Sequence, residues 1–155
     1  MKWKIPPKIK IYEALWTIAD DRIEIIDDEI RIYSSSRNKF YNIWYDDKEN
    51  AIMTNDNGSF WQSYLGYPSI AYLMYIGKIS YNMRFAEALK WIAWKDINQK
   101  FKNNWEKTEE LVNNIISQKG LSLSEFLGEI ENIMQQIQKL DMNLLGKKKK
   151  PPKGY

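Results

Sequence analysis

"RIEIIDDEIRIYSSSRNKFYNIWYDDKENAIMT", residues 22–54, decides the fold class. Two β-branched runs flank Asp27 and Asp28, and apolar and polar residues alternate at the period of two that marks a strand with one covered face. The two aspartates supply the turn of a hairpin between them, although Asp-Asp makes a weaker turn than Asn-Gly. A second polar turn, "SSSRN", leads into a third strand, with Tyr41, Ile43 and Tyr45 on one face and Phe40, Asn42 and Trp44 on the other. After "KEN" a fourth strand follows in "AIMT". None of these connections is long enough for a parallel crossover, so the natural assembly is an antiparallel meander.

Upstream, Pro6 and Pro7 hold the chain extended, and the spacing of Ile11, Leu15 and Ile18 predicts a helix over residues 8–19. Downstream, "NDNGSFWQSY" reads as a loop with a short extra strand, which closes the meander over residues 22–64. Pro68 then stands where a helix accepts its first residue, and the apolar run behind it predicts a buried helix over residues 68–77. From residue 84 to 140 the pattern is helical. "RFAEALKWI" forms one short helix, and Ile97, Phe101, Trp105, Val112 and Ile115 lie along the stripe of a single long one that ends before Gly120. Ser122 and Glu125 form a capping box. Phe126, Ile130, Ile133, Ile137 and Leu140 make the seam that pairs the last helix with its predecessor in an antiparallel hairpin. The expectation is a single α+β domain over residues 1–146: a meander of four to five strands, a short buried helix, a C-terminal helical hairpin, and a basic tail over residues 147–155.

The 155 residues include no Cys and no His, which excludes disulfides, thiol nucleophiles, imidazole bases and Cys/His zinc sites. No basic leader with a long apolar run opens the chain, and no apolar stretch reaches the length of a membrane span, so a soluble cytoplasmic protein without membrane contact is expected. The net charge of +3 hides a division. Residues 1–12 carry four Lys and no acid, and residues 147–155 carry five Lys and no acid. The stretch between them holds all 20 acidic residues against 14 Lys and Arg. Two basic arms on an acidic body favour anionic partners at the ends.

The segment over residues 31–74, 44 of the 155, resembles a SWIM domain. It has a strand ending in small hydroxylated residues, a turn, a Tyr-containing alternating strand, a knuckle, and a Gly-x-Pro lead into a short apolar helix. SWIM domains hold zinc through a Cys-x-Cys knuckle and a Cys-x-His helix start, and serve as nucleic-acid-binding or protein-interaction modules. Here the knuckle reads Ile52-Met53-Thr54-Asn55 and the helix start Pro68-Ser69-Ile70, with no zinc ligand in either. The resemblance implies a metal-free descendant in which Met53, Trp61, Tyr64 and Tyr67 fill the joint as core.

For chemistry, the acidic pairs Asp20-Asp21, Asp27-Asp28 and Asp46-Asp47 with Glu49 read as solvated turn formers, because general acid/base work needs carboxylates held across a pocket. No catalytic residue, metal or cofactor is assigned. The turn "SSSRNK" offers Ser34, Ser35, Ser36, Arg37 and Lys39 as the best anion site of the body. Lys2, Lys4, Lys8 and Lys10, and Lys147, Lys148, Lys149 and Lys150 in the tail, are of the type that neutralises phosphate. Trp3 and Tyr155 are candidates to stack on unpaired bases. The expected function is a non-enzymatic, metal-free binding module that contacts nucleic acid through its basic termini. The alternative is a protein-interaction adaptor or a homo-oligomer, using the aromatic sheet face or the C-terminal hairpin, with Trp91 and Trp94 as further candidates.

Overall fold

A computed structural model describes residues 1–102 and 104–153, so Asn103, Gly154 and the stacking candidate Tyr155 lie outside the described residues. The chain has mixed α and β content: a five-stranded sheet in the order β1-β2-β3-β4-β5, and several helices. β1 (Ile23–Ile26), β2 (Glu29–Tyr33), β3 (Phe40–Asp46) and β4 (Ala51–Thr54) form the expected antiparallel meander. Asp27, at φ 53°, supplies the left-handed residue of the first turn. The register pairs Ile25 with Ile30 across the hairpin and Ile30 with Ile43 in the next strand. Tyr41 and Ile43 are the buried set of β3, and Trp44 on the opposite face is half-buried.

The fifth strand is a correction. The segment expected to extend the meander forms one π-helical turn, Gly58–Gln62, and the strand comes from far downstream, as β5 (Asn143–Leu144) beside β4 and parallel to it. A parallel neighbour needs a long crossover, and the helical region between β4 and β5 supplies one.

α1 (Ile9–Ala19) and α2 (Tyr67–Tyr75) make the core. α2 lies on β3 and β4, and α1 packs against α2 while meeting α3 (Met83–Ala88), α5 (Trp105–Gln118) and α6 (Leu123–Leu140). Nine of the 11 residues of α1 are therefore buried. The single long helix expected before Gly120 is instead two, α4 (Trp94–Phe101) and α5. α4 stops at Lys102, which is left-handed at φ 50°, and Asn104 caps α5 by accepting the N–H of Lys107 at 3.2 Å. α5 and α6 pack as the expected hairpin around Gly120, at φ 78°. Ser122 caps α6, accepting from the Glu125 N–H at 3.2 Å, while the Glu125 carboxylate pairs with Arg84 at 3.0 Å instead of closing the box. Among the described residues no helix is long and apolar enough to cross a membrane.

Candidate functional site

α1 is apolar on nearly all sides, yet it carries Lys10, Glu13 and Trp16 at a spacing of three, which puts them along one stripe. That stripe borders a cavity of about 650 Å³. The Lys10 ammonium donates to the Glu13 carboxylate at 3.0 Å, with the two side chains only 12% and 5% exposed, and it lies 4.7 Å from the Trp105 ring centroid. Burial works against the ammonium, but the Glu13 carboxylate, Tyr64 and Asp56 outweigh it and raise its pKa.

The opposite wall is built after β4. Asp56 is 4% exposed and anchored on every side. Its Oδ1 accepts from the hydroxyls of Thr54 and Ser59, and its Oδ2 accepts from the Ser59 N–H at 3.2 Å. The Thr54 hydroxyl also lies 3.2 Å from that of Ser69 at the start of α2. Two glycines make these approaches feasible. A Cβ on Gly66 would stand 2.2 Å from Asp56 Oδ2, and one on Gly58 would stand 2.4 Å from Tyr64 Cε1. The joint between β4 and α2 is thus a hydroxyl and carboxylate cluster, which corrects the expectation of an aromatic filling. Met53 is core at 1% exposure, but Trp61 is 66% exposed, and Tyr64 and Tyr67 line the cavity.

A row of tilted rings connects the two walls. Tyr41 meets Tyr67 at 6.3 Å, Tyr67 meets Trp16 at 6.5 Å, and Trp16 meets Trp94 of α4 at 6.1 Å, all edge to face. Burial drives the Tyr67 hydroxyl well above its ordinary pKa, with Tyr41, Glu13 and Asp56 adding to the shift and Arg22 opposing it. The Arg22 guanidinium sits 4.3 Å over the Trp16 ring and is held by Asp20 at 3.0 Å. α4 closes the space with Trp94, Lys95 and Asn98, and the Lys95 N–H donates to Ser35 Oγ at 3.0 Å.

Three polar atoms of these residues are buried, with no surface open to the cavity and no hydrogen-bond partner: the indole N–H groups of Trp16 and Trp94, and Oδ1 of Asn98. Trp16 is 1% exposed and Trp94 2%. Each such atom costs on the order of 1–3 kcal/mol when left unmet. Lys10 and Lys95 balance Glu13 and Asp56 in charge, so the cavity as a whole is near neutral. Among the described residues no three acidic side chains gather to hold a metal ion.

The residues singled out from sequence fall in three places. Trp3 is 7% exposed, and its indole N–H donates to the Ile52 carbonyl at 2.8 Å, so it is core and corrects the stacking expectation. Lys10, Ser34 and Ser35 belong to the cavity wall. Lys39 is 9% exposed and lies 5.3 Å over the Tyr41 ring, with burial lowering its pKa, so it is not a surface cation of the turn. Arg37 is exposed and donates to the Asp20 carbonyl at 3.3 Å.

The two chain ends converge. The N-terminal segment lies beside β5, with the Leu144 N–H on the Met1 carbonyl at 2.8 Å and the Trp3 N–H on the Met142 carbonyl at 3.0 Å. Its other edge meets the end of the π-turn, where the Lys4 N–H donates to the Ser63 carbonyl at 3.0 Å and the Leu65 N–H to the Lys4 carbonyl at 3.1 Å. Lys148 reaches the same turn, donating to the Phe60 carbonyl at 3.3 Å and to Ser63 Oγ. Lys149 lies 3.9 Å over Trp44. Lys4, Lys8, Lys147, Lys149 and Lys150 are exposed, and Lys2 holds Asp141 at 3.1 Å in a bridge open to solvent.

Sequence reasoning missed Glu13, Trp16, Asp56, Tyr67, Trp94 and Asn98 as one site. The readable signal was Glu13, a carboxylate in a helix that has no solvent face to receive it.

The chain belongs to the family described as Uncharacterised conserved protein UCP014422, whose model matches residues 3–143. That match takes in every residue lining the cavity and ends before the lysine tail. No curated protein and no solved structure matches the chain.

Proposed function

We propose that this chain is a non-enzymatic binding module for single-stranded nucleic acid, which crosses the face where its two basic ends meet. The observation that carries this reading is the convergence of the termini. Lys4 and Lys148 both attach to the π-turn through Ser63, and Trp61 and Tyr64 of this region line the aromatic cavity. Lysines that neutralise phosphate beside rings able to take bases are the two components from which single-strand sites are built. Lys2, Lys4, Lys8, Lys147, Lys149 and Lys150 contact the backbone. The Lys2 bridge to Asp141 is exposed and weak, so phosphate can displace it. The near-neutral cavity repels neither a base nor its sugar, while phosphates stay at the rim.

The test is fluorescence anisotropy of a labelled single strand of about eight nucleotides across a range of salt concentrations. Affinity is expected to fall steeply with salt, and trimming residues 147–155 should flatten the log–log slope by about 0.7 for each phosphate that the tail no longer neutralises. Binding indifferent to salt, or the absence of binding at low salt, overturns the proposal. A salt-tolerant association of the chain with itself would favour the adaptor reading.

A further inference from the structure

We infer that α4 is a lid on the aromatic cavity, which lifts from Trp16 and the β2–β3 turn about hinges at Trp91 and Lys102 while the sheet and α1 stay folded. α4 forms one wall of the cavity through Trp94, Lys95 and Asn98. It is held there lightly. Trp94 is its one buried residue, whereas nine of the 11 residues of α1 are buried. Its broadest contact is with α5, the next helix of the chain, and not with the sheet or α2. Two ties hold it across the cavity: the tilted packing of Trp94 on Trp16 at 6.1 Å, and the Lys95 N–H on Ser35 Oγ at 3.0 Å.

The seated position also carries a cost. The indole N–H of Trp94 and Oδ1 of Asn98 are buried there with no hydrogen-bond partner, and lifting α4 returns both to water. Both ends of the segment are left-handed, Trp91 at φ 71° and Lys102 at φ 50°, a conformation that a side chain disfavours. Trp91 is 82% exposed, so little packing opposes a change there, and its N–H meets Asp20 Oδ1 at a long 3.4 Å. Residues at the ends of an element that absorb changes of φ and ψ are what a hinge consists of. An element with few buried apolar contacts between two such residues opens at a lower free energy than the core beside it. The inference concerns access to the cavity and holds for any guest, so its failure leaves the nucleic-acid reading standing.

The experiment compares amide hydrogen exchange, read by NMR, with the labelling of a buried thiol. The chain has no cysteine, so Ser34→Cys, on the cavity wall at 3% exposure, places a single thiol that a disulfide reagent reaches only when the cavity widens. The amides of α4 should exchange about a hundredfold faster than those of α1 and α2, and the thiol should report the same opening as the α4 amides. Asn98→Leu, at a half-buried position, removes an unpaired acceptor from the seated helix and should slow both processes about tenfold. Ser35→Ala removes the tie to Lys95 and should speed both about threefold. If Ser34→Cys does not fold, α4 exchange in the natural chain, in Asn98→Leu and in Ser35→Ala carries the test. Exchange in α4 no faster than in α1, a thiol that reacts like a fully exposed one or waits for α1 to open, or rates that neither substitution moves, would overturn the inference.

Discussion

At the scale of single residues, Asp56 and Gly66 explain each other. The carboxylate is buried against three polar groups of Thr54 and Ser59, and glycine is the one residue that leaves it room, since a Cβ would lie 2.2 Å from Oδ2. The backbone of Gly66 is ordinary at φ −72°, so the constraint is steric and not conformational. Gly66→Ala should therefore cost about 2 kcal/mol or more, as overpacking beside a buried ion does. Gly128→Ala, inside α6 with nothing within 4 Å, should gain up to about 1 kcal/mol. Urea denaturation of the two variants checks both signs. Tyrosines make the alkaline limit equally specific. Burial and then the Asp47 hydrogen bond push the Tyr45 hydroxyl up to about 12, and Tyr64, Tyr67 and Tyr72 are raised by burial as well. Their folded pKa values lie above the unfolded value of 10.0, so between the two the native chain holds more protons. The stability they contribute is complete below pH 10.0 and is lost as pH rises through the folded values. With no His or Cys to titrate in between, the melting temperature should be flat from about pH 6 to 9 and fall above about pH 10. A melt series over that range checks it.

Elements differ in how openly the sequence declares them. β1 to β4 were legible because alternation, a polar turn and the next alternation are local signals, and Asp27 took the left-handed turn position its chemistry favours. Ser122 declared the start of α6 for the same reason. The break between α4 and α5 was not read, because the apolar stripe runs on in phase through Phe101 and Trp105. Asn104, which accepts from Lys107, was the signal that outranked it. β5 carried no pattern at all. Two residues cannot show a period, and the partner that makes them a strand, β4, lies about ninety positions earlier in the chain. The π-turn at Gly58–Gln62 was hidden in a similar way, since what shapes it is the Tyr64 ring pressed on Gly58 and the anchoring of Asp56.

For the molecule as a whole, the two basic ends were visible in composition and their meeting was not. That meeting depends on β5 and the N-terminal segment lying side by side, a pairing across nearly the entire chain. The cavity is similar in kind: α1 provides Lys10, Glu13 and Trp16, α2 provides Tyr67, α4 provides Trp94 and Asn98, and the β4–α2 connection provides Asp56. No linear motif spans such a site. Besides Glu13, the 7 Trp and 10 Tyr in the composition were its advance notice, a share of rings high enough to need accounting for. The most direct test is a ¹H–¹⁵N spectrum recorded while a short single strand is added, with the seven indole N–H signals assigned. A base held inside the cavity, with phosphates on the converged lysines, predicts that the indole signals of Trp16 and Trp94, which line it, shift together with the backbone amides of Lys147 to Lys150, along one binding curve. Movement of the lysine tail with both indole signals unchanged would contradict it.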